Sequence, residues 1–161
     1  NIIRISVKPA YRNAIVKCLA TGFGSGLSPV MPGTAGTLVG ILVCLVSWPL
    51  PWELRLVFVL AIAAGAVYVS GKAEKLFEKK DDQRIVIDEI AGYQLAMLPV
   101  AITGLNLCLA FVLFRIFDIW KPFPVNRLQN FKGGWGVVAD DLGAGACAAL
   151  ILLLLTLTEG I

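Results

Sequence analysis

Three short stretches place acidic residues inside otherwise apolar sequence. They are residues 85–90 (IVIDEI), 114–122 (FRIFDIWKP) and 137–142 (VVADDL). Carboxylates flanked by apolar residues are costly to bury unless they pair with cations or hold a metal ion. The stretches supply five carboxylates and two cations: Asp88, Glu89, Asp118, Asp140 and Asp141, with Arg115 and Lys121. This combination indicates a divalent-metal site.

Many other chemistries are excluded by what the chain lacks. It has no histidine, which rules out Ser-His-Asp and Cys-His nucleophilic systems and phosphatases with a histidine nucleophile. Its four cysteines form no CxxC pair and no Cys-x5-Arg loop, so structural zinc and a disulfide framework are poor interpretations. There is no Asp-x-Asp motif, and residues 22–26 (GFGSG) lack the lysine of a P-loop.

Carboxylate oxygens suit Mg²⁺ or Mn²⁺ better than zinc. Mg²⁺ is commonly held by a few carboxylates together with substrate phosphate, so the ligand set suggests a phosphate ester. The predicted metal ligands are Asp88, Asp118, Asp140 and Asp141, with Glu89 a ligand or a group that supports one. Arg115 and Lys121 would contact the phosphoryl oxygens and, with Asp88, Glu89 and Asp118, form the catalytic set.

A segment rich in glycine, serine and proline, residues 21–37, is expected to be a loop that cradles the same phosphate with its backbone N–H groups. The candidate phosphate-binding residues in it are Gly24, Ser25, Ser28, Thr34 and Thr37. A purely structural alternative exists for each acidic stretch. Asp88 would cap a helix, Arg115 and Asp118 would form an i,i+3 pair, and the residue 140–141 pair would cap the last helix. All three stretches being merely structural fits poorly with so apolar a chain.

The composition favours a membrane protein. Hydrophobic residues make up 58% and charged residues 16% of the 161 residues, and mean hydropathy is +0.81. Soluble domains carry roughly 45–50% apolar and about 25% charged residues. We therefore expect an all-α fold, a small polytopic membrane bundle with short spans and a polar site at the cytoplasmic face, formed by a single domain over residues 1–161.

The expected elements are a basic amphipathic helix over 9–20, the loop over 21–37, and apolar helices near 37–50, 56–70, 90–101, 106–119 and 142–158. The apolar run 90–114 is long enough for one span, but Pro99 and residues 103–106 interrupt it. If this run forms a hairpin, both flanking acidic stretches lie on the same side of the membrane. All of the 14 Lys and Arg residues except Arg55 then lie on one side, which the positive-inside rule favours.

Five motifs occur in order along the chain: residues 21–29 (TGFGSGLSP), 32–37 (PGTAGT), 88–92 (DEIAG), 114–124 (FRIFDIWKPFP) and 133–142 (GGWGVVADDL). Together they resemble the phosphatidylglycerophosphatase A family. The resemblance implies a Mg²⁺-dependent lipid phosphatase of the bacterial inner membrane, multi-pass, with its site facing the cytoplasm. It would convert phosphatidylglycerophosphate to phosphatidylglycerol in phospholipid biosynthesis. Phe123 stands where the family pattern has tryptophan, a difference expected to be harmless.

The expected partners are a phospholipid substrate and the membrane, with no nucleic acid. The main alternative function is a small membrane cation transporter with carboxylate ion sites. Transport sites would more often lie within the spans, however, whereas these carboxylates lie near segment ends. A CDP-alcohol phosphotransferase would need an aspartate pattern that this chain lacks, and a purely structural membrane subunit leaves the glycine-rich loop unexplained.

Overall fold

In this computed structural model, residues 9–159 are described, and every regular element within that range is a helix. The helices are α1 (Pro9–Ala20), α2 (Pro32–Ser47), α3 (Trp52–Phe77), α4 (Ile87–Met97), α5 (Gly104–Trp120), α6 (Val125–Leu128) and α7 (Gly134–Glu159), with a 3₁₀ turn at Ser25–Leu27. The predicted all-α fold is confirmed for this range. The N-terminal residues 1–8, expected on the cytoplasmic side, lie outside it.

Helix α4 forms the centre of the bundle. It contacts α2, α3, α5 and α7, and eight of its 11 residues are buried. Small side chains make this possible, because Ala91, Gly92 and Ala96 allow neighbouring helices to approach from several directions. A helix enclosed on all sides is apolar all round rather than along one stripe. The position of α4 therefore determines where the acidic residues of its first turn lie.

A close helix contact joins α4 to α7 at two glycines. A methyl group on Gly92 would lie 2.6 Å from the Asp141 carbonyl oxygen and 2.6 Å from the Phe114 ring. A methyl group on Gly145 would overlap the carbonyl oxygen of Gly92. Asp88 lies four residues before Gly92, and Asp141 lies four residues before Gly145. Both aspartates are therefore one helical turn from the crossing, on the same side of it.

Helix α2 packs on α4 through a second pair of glycines. Gly36 faces Val86, just before α4, and Gly40 faces the side chain of Tyr93. The Gln94 side chain donates a 2.7 Å hydrogen bond to the Gly40 carbonyl, so this buried amide has a partner. The GxxxG spacing of Gly36 and Gly40 thus serves close helix packing, as that pattern often does.

Helices α4 and α5 form an antiparallel hairpin. Thr103 caps α5 by accepting a 3.1 Å hydrogen bond from the Asn106 amide, and the Asn106 side chain donates to the Ala101 carbonyl. The turn lies between Met97 and Gly104. The start of α4 and the end of α5 consequently lie at the same end of the bundle.

Helices α3 and α7 are long and apolar enough to cross a membrane. Each has 26 residues, and the most apolar part of each has a mean hydropathy of 2.0. The helix rise gives each a length of about 38 Å. Helix α2, with 16 residues, is shorter than a typical span. Length and composition thus support a membrane-associated protein.

The segment between α3 and α4 is organised by Asp82. This carboxylate, with a side chain 5% exposed, accepts hydrogen bonds from the Arg84 guanidinium at 2.8 and 2.9 Å and from the Arg84 amide at 3.0 Å. The Ile85 amide bonds to the Asp82 carbonyl, and the Val86 amide bonds to Ala20. These contacts fix the residues that lead into α4.

Replacing Gly92 with alanine tests the α4–α7 contact. Because the methyl group would meet backbone atoms of the facing helix, we expect Gly92→Ala to lower the free energy of unfolding by about 1–3 kcal/mol. Gly65→Ala is the matched control, since a methyl group there meets nothing within 4 Å. Thermal and denaturant unfolding in detergent would measure both variants. Equal stability of the two would contradict the close contact.

The pH dependence of stability tests the role of Asp82. The Arg84 hydrogen bond holds the pKa of Asp82 below its ordinary value. A carboxylate with a lowered folded-state pKa stabilises the fold above the unfolded pKa, and this stabilisation is lost as the pH falls through the folded value. We expect Asp82→Ala to cost about 1 kcal/mol at pH 7. The difference from the parent should shrink in acid; a constant difference would refute the assignment.

Candidate active site

A cavity of about 260 Å³ lies at the end of the bundle where α2, α4 and α7 begin and α5 ends. It is bounded by parts of all three acidic stretches. Six carboxyl side chains and two basic side chains line it: Asp81, Asp88, Glu89, Asp118, Asp140 and Asp141, with Arg115 and Lys121. The remaining lining residues are Met31, Pro32, Gly33, Gln83, Ile85 and Val137. Residues separated by up to 110 positions therefore meet in one space.

Three carboxylates are close enough to share one ion. Asp88, Glu89 and Asp141 each offer an oxygen, and these oxygens lie within 4.8 Å of one another. Asp88 and Asp141 are buried, and Glu89 is partly buried. Three negative charges at this separation repel one another strongly where water is largely excluded. Bound protons or a bound cation would reduce this repulsion.

The other two predicted metal ligands are engaged by the two cations. Arg115 lies 2.6 Å from the Asp118 carboxylate, an i,i+3 pair within α5. Lys121 lies 2.5 Å from Asp140, which joins the end of α5 to α7. Burial alone lowers the pKa of Lys121, but its hydrogen bond to Asp140 raises that pKa overall. The lysine is therefore an ammonium ion at neutral pH.

The donor set fits a hard divalent cation. Two carboxylate oxygens, Glu89 Oε2 and Asp140 Oδ1, are buried without a hydrogen-bond partner among the described residues. Such oxygens are costly to leave unpaired, and a cation would satisfy them. The carboxylates also outnumber the two basic residues of the lining, so a divalent ion would reduce the excess negative charge. All of these donors are oxygens, which Mg²⁺ and Mn²⁺ prefer.

The first turn of α2 lies beside the acidic residues. A methyl group on Gly33 would overlap Glu89 Oε1 and would lie 3.1 Å from Arg115 Nη1. Only glycine lets the carboxylate and the guanidinium approach the helix backbone this closely. Thr34 Oγ1 is buried nearby in sequence and has no partner among the described residues. The first amides of a helix also have no acceptor within it.

The other predicted phosphate-binding residues lie away from the cavity lining. The Ser25 hydroxyl donates to the Thr21 carbonyl, Ser28 donates to Val30, and Thr37 donates to Gly33. Gly24 adopts a left-handed conformation with φ of 96° just before the 3₁₀ turn. The serines and Thr37 are thus used within their own segment. The predicted loop over residues 21–37 is wrong for residues 32–37, which form the start of α2, because a proline is tolerated in the first turn of a helix. Thr34 therefore lies in this first turn, next to Gly33 of the cavity lining.

Seven lining residues are absent from the predicted site residues: Met31, Pro32, Gly33, Asp81, Gln83, Ile85 and Val137. Asp81 and Gln83 belong to the charged stretch that joins α3 to α4, which reads as an ordinary solvated loop. Both are exposed at the rim of the cavity. Their place before residues 85–90 is the one sequence signal that relates them to the site.

The fold and the cavity together define a helical protein with a buried acidic site and two basic side chains suited to a phosphate ester. A sequence model described as phosphatidylglycerophosphatase A matches residues 18–156. The Escherichia coli (strain K12) protein named phosphatidylglycerophosphatase A is 41% identical over 137 residues, covering 83% of this chain and 79% of the relative. The Haemophilus influenzae protein of the same name is 33% identical over 140 residues, covering 85% and 86%.

A third relative carries a different name. The Bacteroides thetaiotaomicron protein named putative phosphatidylinositol-3-phosphatase is 37% identical over 143 residues, covering 83% of this chain and 89% of the relative. No solved structure matches the chain. The chain belongs to the phosphatidylglycerophosphatase A family, and the resemblance noted in its motifs is confirmed.

Metal titration tests the acidic cluster. We expect the purified protein to bind Mn²⁺, and Asp141→Asn to weaken binding by about tenfold or more, because even groups that only support metal ligands can cost that much. Glu53→Gln is the control, since Glu53 is an exposed carboxylate at the start of α3. Electron paramagnetic resonance of free Mn²⁺ would give both affinities. Equal affinities in the two variants would place the ion elsewhere.

Proposed function

We propose that this protein is a Mg²⁺-dependent lipid phosphomonoesterase that converts phosphatidylglycerophosphate to phosphatidylglycerol and phosphate in phospholipid biosynthesis. One observation carries the proposal: three acidic stretches, distant in sequence, line one cavity with Arg115 and Lys121. Carboxylates that hold a cation, beside two basic groups, are suited to phosphoryl transfer. The catalytic residues are Asp88, Glu89, Asp118, Arg115 and Lys121.

Family membership supports the reaction. The Escherichia coli and Haemophilus influenzae relatives are named for phosphatidylglycerophosphate hydrolysis. The Bacteroides thetaiotaomicron relative is named for a phosphoinositide, which is also a lipid with a phosphomonoester headgroup. The shared chemistry is removal of a terminal phosphate from a lipid headgroup. The alternative of a cation transporter finds no support in these relatives.

We propose that the protein lies in the bacterial inner membrane. Its chain crosses the membrane several times, and the cavity faces the cytoplasm. Support comes from the four tryptophans, all of which are exposed. Trp48 and Trp52 lie at the end of the bundle away from the cavity, and Trp120 and Trp135 lie at the cavity end. Exposed aromatic residues at both ends are typical of the two membrane interfaces. The short helices α2, α4 and α5 would then be accommodated by local thinning of the bilayer.

Arg115 and Lys121 bind and orient the phosphate. Each projects from the end of α5 and is held by a carboxylate, Asp118 or Asp140. The ion pairs fix the direction of the cationic groups before substrate arrives, so little reorganisation is needed as charge builds on the phosphoryl oxygens. The guanidinium of Arg115 can contact two oxygens at once. Of the predicted substrate-binding residues, Gly24, Ser25 and Ser28 would act from the loop before α2, and Thr34 and Thr37 would act from α2 itself.

The metal ligands proposed are Asp88, Asp118, Asp140 and Asp141, and the geometry adds Glu89 to the tightest group. A divalent cation bound there supplies Lewis-acid polarisation of a phosphoryl oxygen and lowers the pKa of water. One carboxylate of the cluster takes a proton from the attacking water as general base. The new bond forms between the water oxygen and phosphorus, the bond to the glycerol oxygen breaks, and that oxygen leaves with a proton. Direct attack by a carboxylate, through an acyl-phosphate, is the alternative route.

Phosphate release tests the proposal. We expect detergent-purified protein to release inorganic phosphate from phosphatidylglycerophosphate with Mg²⁺ and to lose this activity in excess EDTA. Asp88→Asn and Asp118→Asn should each lower turnover by at least about a hundredfold, because each removes a charge that positions the reacting groups. Glu53→Gln should keep the parental rate. Circular dichroism and size-exclusion profiles would show that the variants remain folded.

Near-parental rates in Asp88→Asn would refute the proposed catalytic role of that residue. Release of phosphate that persists in EDTA would refute metal dependence while leaving the phosphatase intact. A parallel assay with phosphatidylinositol 3-phosphate would compare the two headgroups named among the relatives.

A further inference from the structure

A second cavity, of about 430 Å³, lies between α1, the loop before α2 and the segment that joins α3 to α4. Its lining residues are Lys17, Cys18, Thr21, Phe23, Gly24, Leu27, Phe77 and Arg84. None of these residues lines the acidic cavity. This space has no role in the reaction described above.

Two cations converge on one aromatic ring in this cavity. The Lys17 ammonium lies 5.9 Å from the centre of the Phe77 ring, and the Arg84 guanidinium lies 4.1 Å from it. Arg84 also pairs with Asp82, whereas Lys17 has no carboxylate within ion-pair distance among residues 10–158. The two lining cations and the carboxylate that pairs with Arg84 therefore sum to a net charge of +1. One negative charge would balance it.

The opposite wall is apolar and exposed. Phe23 is 68% exposed and Leu27 is 63% exposed. Phe23 adopts a φ of 57°, and it lies between Gly22 and Gly24, whose φ angles are also positive. A left-handed conformation is unfavourable for a bulky aromatic residue, so its outward projection is imposed by the surrounding structure. The hydroxyl and amide groups of this turn donate to carbonyl oxygens at the end of α1 or to acceptors within the turn itself.

We propose that this cavity is a second lipid site, which binds the phosphodiester headgroup of one anionic phospholipid between Lys17 and Arg84 and contacts its glycerol and acyl chains through Phe23 and Leu27. The proposal rests on the proposed membrane setting but not on the proposed reaction. It assigns to the basic helix α1 a specific lipid contact.

Charge and polarity together select this ligand. A phosphodiester lipid carries one negative charge, which matches the net +1, whereas a phosphomonoester carries nearly two. Free phosphate would leave the exposed Phe23 and Leu27 side chains uncovered, and an uncharged lipid would leave Lys17 without a counter-charge. Basic residues beside a membrane surface attract anionic lipid, with each cation adding to the affinity. An anionic lipid would pair with the basic side chains of the cavity and cover its apolar side chains.

Native mass spectrometry of the protein in neutral detergent tests the site. The probe is dioleoylphosphatidylmethanol, a singly charged phosphodiester that has no phosphomonoester to hydrolyse, with dioleoylphosphatidylcholine as the neutral comparison. We expect the parent protein to retain one phosphatidylmethanol at concentrations where it retains no phosphatidylcholine. Lys17→Gln should weaken retention about tenfold, because it removes a charge-assisted contact. Lys132→Gln removes the same charge from a loop outside this cavity and should bind as the parent does.

Three further variants make the result decisive. Lys17→Arg should restore retention, and Arg115→Gln should leave it unchanged, which separates this cavity from the acidic one. Phe23→Asn suits the left-handed backbone but removes the apolar ring, so it should also weaken retention without disturbing the fold. Equal retention of the neutral and anionic lipids would overturn the proposal. So would equal loss in Lys17→Gln and Lys132→Gln, or loss in Arg115→Gln alone.

Discussion

The near-contact of two helix backbones at Gly92 and Gly145 is the constraint on which the acidic site depends. Helices normally pack 8–10 Å apart, and a closer crossing requires residues without side chains at the contact. Here the two glycines each follow an aspartate by one turn. Close packing of α4 and α7 at this point therefore brings Asp88 and Asp141 to one space of about the size of a cation. A wider crossing would separate them by the width of the intervening side chains.

This arrangement buries several carboxylates close together, where their negative charges are most unfavourable. Asp88, Asp140 and Asp141 are each less than 7% exposed, and burying a charge without a partner costs far more than burying an apolar group. The two ion pairs on α5 compensate part of the charge, through Arg115 and Lys121. The cluster of Asp88, Glu89 and Asp141 is not compensated in this way. Stability is therefore lost locally, and a cation that bound to the cluster would restore it.

The sequence predicts the charged residues of the cavity better than its other lining residues. Charged residues in apolar surroundings identify five of the six lining carboxylates and both basic residues, because a charge inside an apolar stretch is unusual and is visible in the sequence. These residues meet in one cavity because of the hairpin at residues 98–103, which Pro99 and the glycine before Leu105 predict. Gly33, Asp81 and Gln83 could not be found in this way. They line the cavity because segments distant in the chain come together there, and a polar Asp–Asp–Gln run looks like any solvated loop in the sequence.

The hydroxyl groups of residues 21–37 have partners that the glycine-rich pattern does not predict. Glycine-rich sequence next to a helix start suggests a phosphate cradle, yet Ser25, Ser28 and Thr37 bond to carbonyls in their own segment. Short polar side chains often find local backbone partners. The glycines there serve another purpose, since Gly26 lies against the Arg84 backbone and Gly36 lies against Val86.

The central position of α4 also has a consequence for biosynthesis. With 11 residues and a length of about 16 Å, α4 is too short to cross a bilayer by itself, and α7 covers more of its surface than any other helix does. Helix α7 follows α4 in the chain and is synthesised after it. Until α7 is made, the nascent chain holds Asp88 and Glu89 without Asp141 beside them. Packing of α7 on α4 and completion of the acidic cluster are therefore the same event.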